Sequence, residues 1–158
     1  MIIRKAMTQD SRSIQQIART TWHHTYEDLI PRTIQDQFLN EAYSDKFMGY
    51  RIPRTIVAEI DEAVIGFADF TEATDDQKAS VRALYILPEY QGRGAGSALI
   101  KDVLSKLEHA VTIYVDVEKE NEPALAFYNR MGFVLEEEYS ELFYGHTIHT
   151  VKLRLDLK

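Results

Sequence analysis

Apolar positions recur along this chain with both the helical and the strand period. Ile14, Ile17, Ala18 and Trp22 follow one helix face, which Thr8 is expected to cap, and an interrupted helical pattern follows at 34–47. Runs rich in Val, Ile and Phe predict strands at 2–5, 55–60, 63–70, 80–87 and 111–117, with a polar loop at 74–78. Two further helices are predicted at 94–109 and 122–131, and two final strands are expected to turn near residues 144 and 145.

This order of elements describes one mixed sheet flanked by helices, which is an α/β fold. The chain has 158 residues, a length that suits one domain of ordinary size with one core. The sequence contains no internal repeat, low-complexity tract or linker rich in Pro, Gly and Ser. We therefore expect residues 1–158 to form a single domain.

Composition removes several classes of function. The chain has no cysteine, which excludes disulfides, thiolate metal sites and a covalent Cys mechanism. A formal net charge of -7 disfavours nucleic acid or an anionic membrane as the main partner and suits a small cationic substrate. The N-terminus lacks a long apolar stretch and no segment approaches the ~18 apolar residues of a membrane span, so we expect a soluble, cytoplasmic protein.

Residues 91–97, here named the glycine loop, place three glycines between a predicted strand and a predicted helix. The loop does not match the P-loop pattern, which needs Lys after its last glycine, nor the dinucleotide pattern G-x-G-x-x-G. Glycines at a helix N-terminus let several backbone N–H groups point into one concavity, where a phosphate can bind, and Arg93 could add positive charge. The alternative is a plain tight turn, for which one or two glycines would suffice.

Two linked motifs resemble one known family. Gln91-x-x-Gly94-x-Gly96, together with residues 84–90, closely resembles the acetyl-CoA pyrophosphate loop of the GNAT N-acetyltransferases. Residues 121–133 look like that family's Asn followed by F-Y-x-x-x-G-F, and the order of predicted elements also matches over essentially the whole chain. The resemblance implies a GNAT-like, mostly antiparallel central sheet, acetyl-CoA as co-substrate, and a homodimer.

The same resemblance implies how acetyl-CoA would be held. Backbone groups of Leu84, Tyr85 and Ile86 would pair with the pantetheine arm, and one amide of that strand would polarise the thioester carbonyl. Asn121 would hydrogen-bond the pantetheine or cap a helix, and Arg130 would contact a phosphate or remain a solvated charge. The pyrophosphate would bind to the glycine loop, which consists of Gln91, Gly92, Arg93, Gly94, Ala95, Gly96 and Ser97.

Tyr128 corresponds by resemblance to the general acid that protonates the departing CoA thiolate. Its alternative role is an aromatic that seals its helix against the sheet beside Phe127, a good core candidate. The general base is open, because Arg82 occupies the position where several family members have glutamate. Asp69, Glu72 or a chain of waters could accept the amine proton instead. Without a cysteine for an acetyl-enzyme, we expect direct transfer to the amine.

The amine acceptor is expected to meet residues 22–28, WHHTYED, here named the acceptor segment. Its aromatic rings and two carboxylates suit an ammonium ion, and the candidate binding residues are Trp22, Tyr26, Glu27 and Asp28. The alternative is that Trp22 belongs to the core and that the carboxylates are merely solvated.

The function that follows from these patterns is transfer of acetyl to a primary amine. Within the family, residues 121–123 and the acidic composition resemble the spermidine/spermine acetyltransferases, including the PaiA type, so a polyamine such as spermidine is the expected acceptor. The alternatives are a protein or peptide amine, either N-terminal or lysine, and a non-catalytic module that binds acyl-CoA. The spacing of the five histidines predicts no shared metal ion.

Overall fold

A computed structural model describes residues 1–73 and 75–157 of the chain. These described residues form seven β-strands and five α-helices, and the predicted order of elements is confirmed. Thr74, at the start of the predicted loop 74–78, lies outside the described residues. The strands are β1 (Ile2–Lys5), β2 (Thr55–Ile60), β3 (Ala63–Glu72), β4 (Lys78–Ile86), β5 (Thr112–Glu118), β6 (Val134–Phe143) and β7 (His146–Asp156). The helices are α1 (Ser11–Tyr26), α2 (Arg32–Ala42), α3 (Asp45–Arg51), α4 (Ala95–Lys106) and α5 (Glu122–Arg130).

The strands of the described chain form one sheet in the order β1-β2-β3-β4-β5-β7-β6. The pairs β1 with β2, β2 with β3, β5 with β7 and β6 with β7 are antiparallel, whereas β4 and β5 are parallel. The mixed, mostly antiparallel α/β fold predicted from the sequence is thus confirmed. Contacts group the chain into two compact units: Met1–Phe70 with Ala83–Lys106, and Thr71–Arg82 with the part from Leu107 onward.

The first unit has a core formed by one face each of α1, α4 and the first strands. Helix α1 packs against α2, and α4 packs against β1 and β2. The apolar stripe predicted for α1 is buried, which confirms the helical spacing. The other fully buried side chains of this unit include Leu39, Ile56, Val57, Ile65, Phe67, Leu99, Ile100 and Val103.

The predicted helix interruption is confirmed, but the predicted cap of α1 is wrong. Helix α2 ends at Ala42, and α3 begins after Ser44, whose hydroxyl accepts the Phe47 N–H at 3.2 Å. Residues 8–10 form a short 3₁₀ turn ahead of α1, so Thr8 is not its N-cap. The carboxylate of Asp10 closes this turn instead, since it accepts the Met7 N–H at 2.7 Å and forms an ion pair with Arg4 at 2.9 Å. A paired carboxylate is a stronger acceptor than a hydroxyl.

Two tight turns join consecutive antiparallel strands as the sequence predicts. Asp61 and Glu62 have φ values of 50° and 67° between β2 and β3, and Tyr144 and Gly145 have 51° and 81° between β6 and β7. Positive φ at both central residues is the geometry of hairpin turns that match the twist of the strands.

The second unit contains β5, β7 and β6 together with α5. Alternate residues of β5 are buried, and the buried side chains of the unit include Ile113, Val115, Val117, Tyr128, Phe133, Val151 and Leu153. Strand β6 ends the sheet order and is largely exposed, and it carries the run of glutamates at 136–138, whose charges discourage pairing with another strand. Among the described helices, none combines the length and apolar character needed to cross a membrane.

Candidate active site

The glycine loop connects β4 to α4 and has the backbone geometry of an anion cradle. Gly92 and Gly94 have φ values of 79° and 86°, in the left-handed region that other residues enter at a cost. The first helical hydrogen bond joins the Ala98 N–H to the Gly94 carbonyl at 3.0 Å. The N–H groups of residues 95–97 therefore belong to the first turn of α4, where a helix offers donors without intrahelical acceptors.

Two side chains of the loop have contacts that the sequence did not predict. The Gln91 amide donates to the Ile86 carbonyl at 2.9 Å and so ties the loop to the end of β4. The Arg93 guanidinium is exposed and lies 5.3 Å from the centre of the Tyr90 ring. Of these two, Arg93 has the charge and exposure to meet an anion, whereas Gln91 shapes the loop.

The end of β4 carries Leu84, Tyr85 and Ile86, and β3 approaches it closely at Gly66. A Cβ at Gly66 would lie 2.5 Å from Ile86 Cδ1 and 2.9 Å from the Tyr85 carbonyl oxygen, so only glycine fits there. The register of β4 with β5 runs from Lys78 to Val81, so these three residues lie beyond it. Backbone groups beyond a register can pair with an extended ligand.

Tyr85 joins a predicted cofactor residue to a predicted acceptor residue. Trp22 Nε1 donates a hydrogen bond to Tyr85 Oη at 2.8 Å, and the phenol of Tyr43 is also hydrogen-bonded to that of Tyr85. Burial raises the pKa of Tyr85 above its ordinary value despite these bonds, so the phenol is neutral at physiological pH. Arg51 covers the Tyr43 ring at 4.0 Å. Tyr43 is not among the predicted site residues, because its position at the break between two helices gives no chemical signal in the sequence.

In the acceptor segment, the aromatic and acidic residues have different environments. Trp22 is only 8% exposed and stacks on Phe38 with ring centres 4.5 Å apart, while Tyr26 is half-buried and lies 4.7 Å from the Trp22 ring. Glu27 and Asp28 are exposed just beyond the end of α1. Trp22 is thus a core residue with a polar contact, and the two carboxylates are placed where a cation in solution can reach them.

The residues of the second motif lie on α5. Asn121 caps this helix, since its Oδ1 accepts the Ala124 N–H at 3.3 Å. Tyr128 is buried, with Phe127 and Phe133 ring centres at 5.1 and 5.2 Å, and Arg130 is exposed. Phe127 is only half-buried, so Tyr128 rather than Phe127 is the deeper core aromatic. The capping and packing alternatives are therefore both observed, and neither excludes a role toward a ligand.

The two carboxylates considered as general bases are held by structural contacts. Asp69 is fully buried and forms ion pairs with Arg51 and with Arg54, the latter at 2.6 Å. Glu72 accepts the N–H groups of residues 108–110, with the shortest contact at 2.6 Å to Ala110. These contacts already engage both oxygens of each carboxylate, and Arg82 is exposed on β4. The geometry does not favour either carboxylate as the base.

A separate polar groove of about 510 Å³ lies along α1, α2 and the start of α3. It is lined by Arg12, Gln15, Gln16, Arg19, Leu39, Asn40, Tyr43, Ser44 and Asp45, and so by none of the residues predicted to bind acceptor or acetyl-CoA. Over residues 1–73 and 75–157, no group of three or more His, Asp or Glu side chains is arranged to hold a metal ion.

Comparison with known proteins decides the family. The model of the Acetyltransferase (GNAT) family matches residues 12–133, more than half of the chain. The chain belongs to the GNAT acetyltransferase family. It is 29% identical over 132 residues to the uncharacterized N-acetyltransferase YuaI of Bacillus subtilis (strain 168), covering 80% of this chain and 76% of that protein. It is 25% identical over 145 residues to a spermidine N(1)-acetyltransferase of Thermoplasma acidophilum, covering 85% and 89%.

Solved structures confirm the fold of this GNAT protein. The PaiA N-acetyltransferase of Thermoplasma acidophilum, solved in complex with coenzyme A, superposes with a TM-score of 0.87. The alignment covers 98% of both chains at 21% identity. Membership of the GNAT acetyltransferase family makes the chain an acyltransferase with acetyl-CoA as its co-substrate.

The glycine loop fits a pyrophosphate in two respects. Gly92 and Gly94 supply the left-handed turns, and the first turn of α4 supplies N–H donors that point toward the loop. Acetyl-CoA brings an activated acetyl thioester to such a site. With acetyl-CoA bound in this way, the glycine loop would hold the pyrophosphate, and the backbone of Leu84, Tyr85 and Ile86 would lie along the pantetheine arm.

Proposed function

We propose that this protein acetylates a primary amine of a small cationic acceptor, a polyamine such as spermidine, by direct transfer from acetyl-CoA. The observation that carries the acceptor class is the acceptor segment, where exposed Glu27 and Asp28 follow a cluster of aromatic rings around Trp22. An ammonium ion is attracted both to carboxylates and to aromatic faces. The net charge of -7 and the similarity to a relative named a spermidine N(1)-acetyltransferase support the same class.

We infer that residues 1–158 act together as one catalytic domain in the cytoplasm. The family match runs from residue 12 to residue 133 and so includes residues of both compact units. The cytoplasm is the expected compartment for an enzyme that uses acetyl-CoA, and a chain without cysteine is compatible with it.

Activation of the thioester is assigned to backbone amides. One N–H among Leu84, Tyr85 and Ile86 would donate to the acetyl carbonyl oxygen, where negative charge develops during attack by the amine. Because β3 approaches the strand at Gly66, this backbone is held by close packing and its donor direction is set before the substrate arrives.

Tyr128 is assigned the role of general acid, which donates the proton that the departing thiolate receives. An ordinary phenol titrates near 10 and an ordinary thiol near 8.5, so full transfer is uphill by about 1.5 pKa units, or about 2 kcal/mol. A hydrogen bond from the phenol that strengthens as the sulfur becomes negative lowers the barrier without complete transfer. Asn121 and Arg130 would contact the pantetheine and a phosphate, in addition to the capping and surface positions described above.

Solvent water is assigned the role of accepting the proton that the acceptor amine loses. Arg82 lies where several family members have glutamate, and Asp69 and Glu72 are held in structural contacts. An alkylamine with a pKa near 10 is mostly protonated at neutral pH, so loss of its proton to water makes the rate rise with pH. We therefore expect kcat/KM for the acceptor to increase steadily between about pH 6 and pH 9.

The experiment that tests the proposal is release of CoA thiol from acetyl-CoA with spermidine, spermine, a basic peptide or no acceptor. Spermidine-dependent release that falls at least about tenfold in Tyr128→Phe is expected. Tyr50→Phe is the matched control, because Tyr50 is 65% exposed on α3. Release of CoA with the basic peptide, but with neither spermidine nor spermine, would indicate a protein acceptor instead of a polyamine. Binding of acetyl-CoA without release for any amine would favour the non-catalytic alternative.

A further inference from the structure

One side chain at a core position of α2 is polar. It is hydrogen-bonded to the backbone of the connection between α1 and α2, where the predicted acceptor residues lie. Gln35 and Leu39 are the buried residues of α2, one turn apart, and the side chain of Gln35 is 0% exposed. An apolar residue is the ordinary choice at such a position, because a buried amide has to be compensated by hydrogen bonds. Gln35 therefore needs an explanation beyond packing.

The Gln35 side chain bridges the two ends of residues 27–31, here named the α1–α2 loop. Its Nε2 donates to the Tyr26 carbonyl at 2.9 Å and to the Ile30 carbonyl at 2.9 Å. Both N–H bonds of the amide are thus used on the backbone of one short connection. The Tyr26 carbonyl also accepts the Leu29 and Ile30 N–H groups at 3.1 and 3.0 Å, so Gln35 completes a closed set of bonds around this loop.

The carbonyl oxygen of the same amide is not stabilised by a hydrogen bond within the described part of the chain. Gln35 Oε1 is buried and has no hydrogen-bond partner among the described residues. An unsatisfied buried acceptor destabilises a protein, so the residue is not there for the stability of the core alone. What the side chain does achieve is to fix the backbone on both sides of Glu27 and Asp28.

We propose that Gln35 is a positioning residue that closes the α1–α2 loop and so holds Tyr26, Glu27 and Asp28 in place for a cationic acceptor. The proposal rests on the proposed function, because it takes those three residues as the acceptor contacts. Gln35 acts through the backbone carbonyls of Tyr26 and Ile30 and does not touch the acceptor itself. Its loss should weaken acceptor binding while leaving acetyl-CoA binding unchanged.

The test compares Gln35→Met with Thr21→Val in the full chain. Methionine keeps the length of the side chain and removes both donors, while Gln35→Leu provides a second apolar variant if the thioether packs badly. Thr21 is the matched control, since it is buried on α1 and its Oγ1 also lacks a partner among the described residues. Thr21→Val removes a buried polar group that lies on α1, outside the α1–α2 loop.

Two readouts separate the parts of the proposal. Hydrogen exchange of the Leu29 and Ile30 amides should accelerate at least about tenfold in Gln35→Met and stay within about twofold in Thr21→Val. The KM for spermidine should rise at least about fivefold in Gln35→Met, with the KM for acetyl-CoA within about twofold. Unchanged exchange, or equal changes in both KM values, would overturn the positioning role. Absence of turnover with every amine by the unmutated protein would overturn the proposed function instead, and the exchange data would still decide whether Gln35 closes the loop.

Discussion

At the scale of single residues, one backbone conformation and one side-chain hydrogen bond shape the candidate site. Gly94 provides a left-handed turn that aims the N–H groups of the glycine loop, and Tyr85 receives the indole N–H of Trp22. Both roles depend on local geometry. Small substitutions at these positions should therefore have large and separable effects.

Gly94→Ala should weaken CoA binding by at least tenfold, as measured by titration calorimetry. The φ of 86° costs alanine about 1–2 kcal/mol, and relief of that strain rotates the adjacent N–H groups. Gly145→Ala is the matched control, because Gly145 has a φ of 81° and, like Gly94, no described atom within 4 Å of an added Cβ. Equal loss of CoA affinity in both variants would contradict the cradle.

Tyr85→Phe should lower the free energy of unfolding by about 1–3 kcal/mol, because it leaves the buried Trp22 N–H without its acceptor. Urea denaturation measures this, and Tyr50→Phe at an exposed position should stay within about 0.5 kcal/mol. A stability loss of similar size in both variants would mean that the Trp22 hydrogen bond contributes little.

At the scale of elements, one carboxylate fastens a strand to a loop. Glu72 at the end of β3 accepts N–H groups from residues 108–110, which lie between α4 and β5. Burial alone would raise its pKa, but these N–H groups together hold the pKa of Glu72 below its ordinary value of 4.5. A carboxylate with a lowered pKa stabilises the fold above its unfolded-state pKa, and that stability is lost as pH falls through the folded-state pKa.

Glu72→Gln should therefore destabilise the protein at pH 7 and reduce the loss of stability that the unmutated protein shows below about pH 4.5. Thermal unfolding between pH 7 and pH 3 measures both effects. Glu41→Gln, at an exposed position on α2, should leave the pH profile unchanged. If the two variants have the same profile, the contact of Glu72 with residues 108–110 does not contribute to stability.

At the scale of the whole molecule, the net charge of -7 and the proposed cationic acceptor belong together. Raising the ionic strength from about 0.05 M to about 0.3 M shortens the screening length from about 14 Å to about 6 Å. The KM for spermidine should then rise at least about threefold, and the KM for a monoamine of similar size should rise less. Equal salt dependence for both amines would remove the argument from charge.

The oligomeric state is a prediction from the family resemblance. Light scattering at micromolar concentration should give a mass of twice the 18.3 kDa of the chain if the homodimer forms. A mass equal to one chain would contradict that prediction and leave the proposed chemistry unaffected.

The spacing of residues that are near each other in the sequence was sufficient to predict most of the fold. Helix faces, hairpin turns and the glycine loop are properties of neighbouring residues, so their spacing predicted α1, the break before α3 and the turn at Asp61 and Glu62. The cap of α1 was predicted wrongly because the group that closes the turn, Asp10, is selected by its ion pair with Arg4 on β1. That pairing depends on how the strand and the turn meet.

Motif spacing in the sequence predicted the family and the co-substrate, which the family match confirms, because such patterns are encoded within a few residues. The binding of a pyrophosphate by the glycine loop stays a prediction. Three features depend on tertiary packing and could not be predicted from the sequence: Trp22 donates to Tyr85, Asp69 and Glu72 are held in structural contacts, and Gln35 closes the α1–α2 loop. These partners lie between 5 and 63 residues apart in the chain. The contacts between distant partners exist only after strands and helices have packed, since burial and direction then decide which polar group each side chain meets.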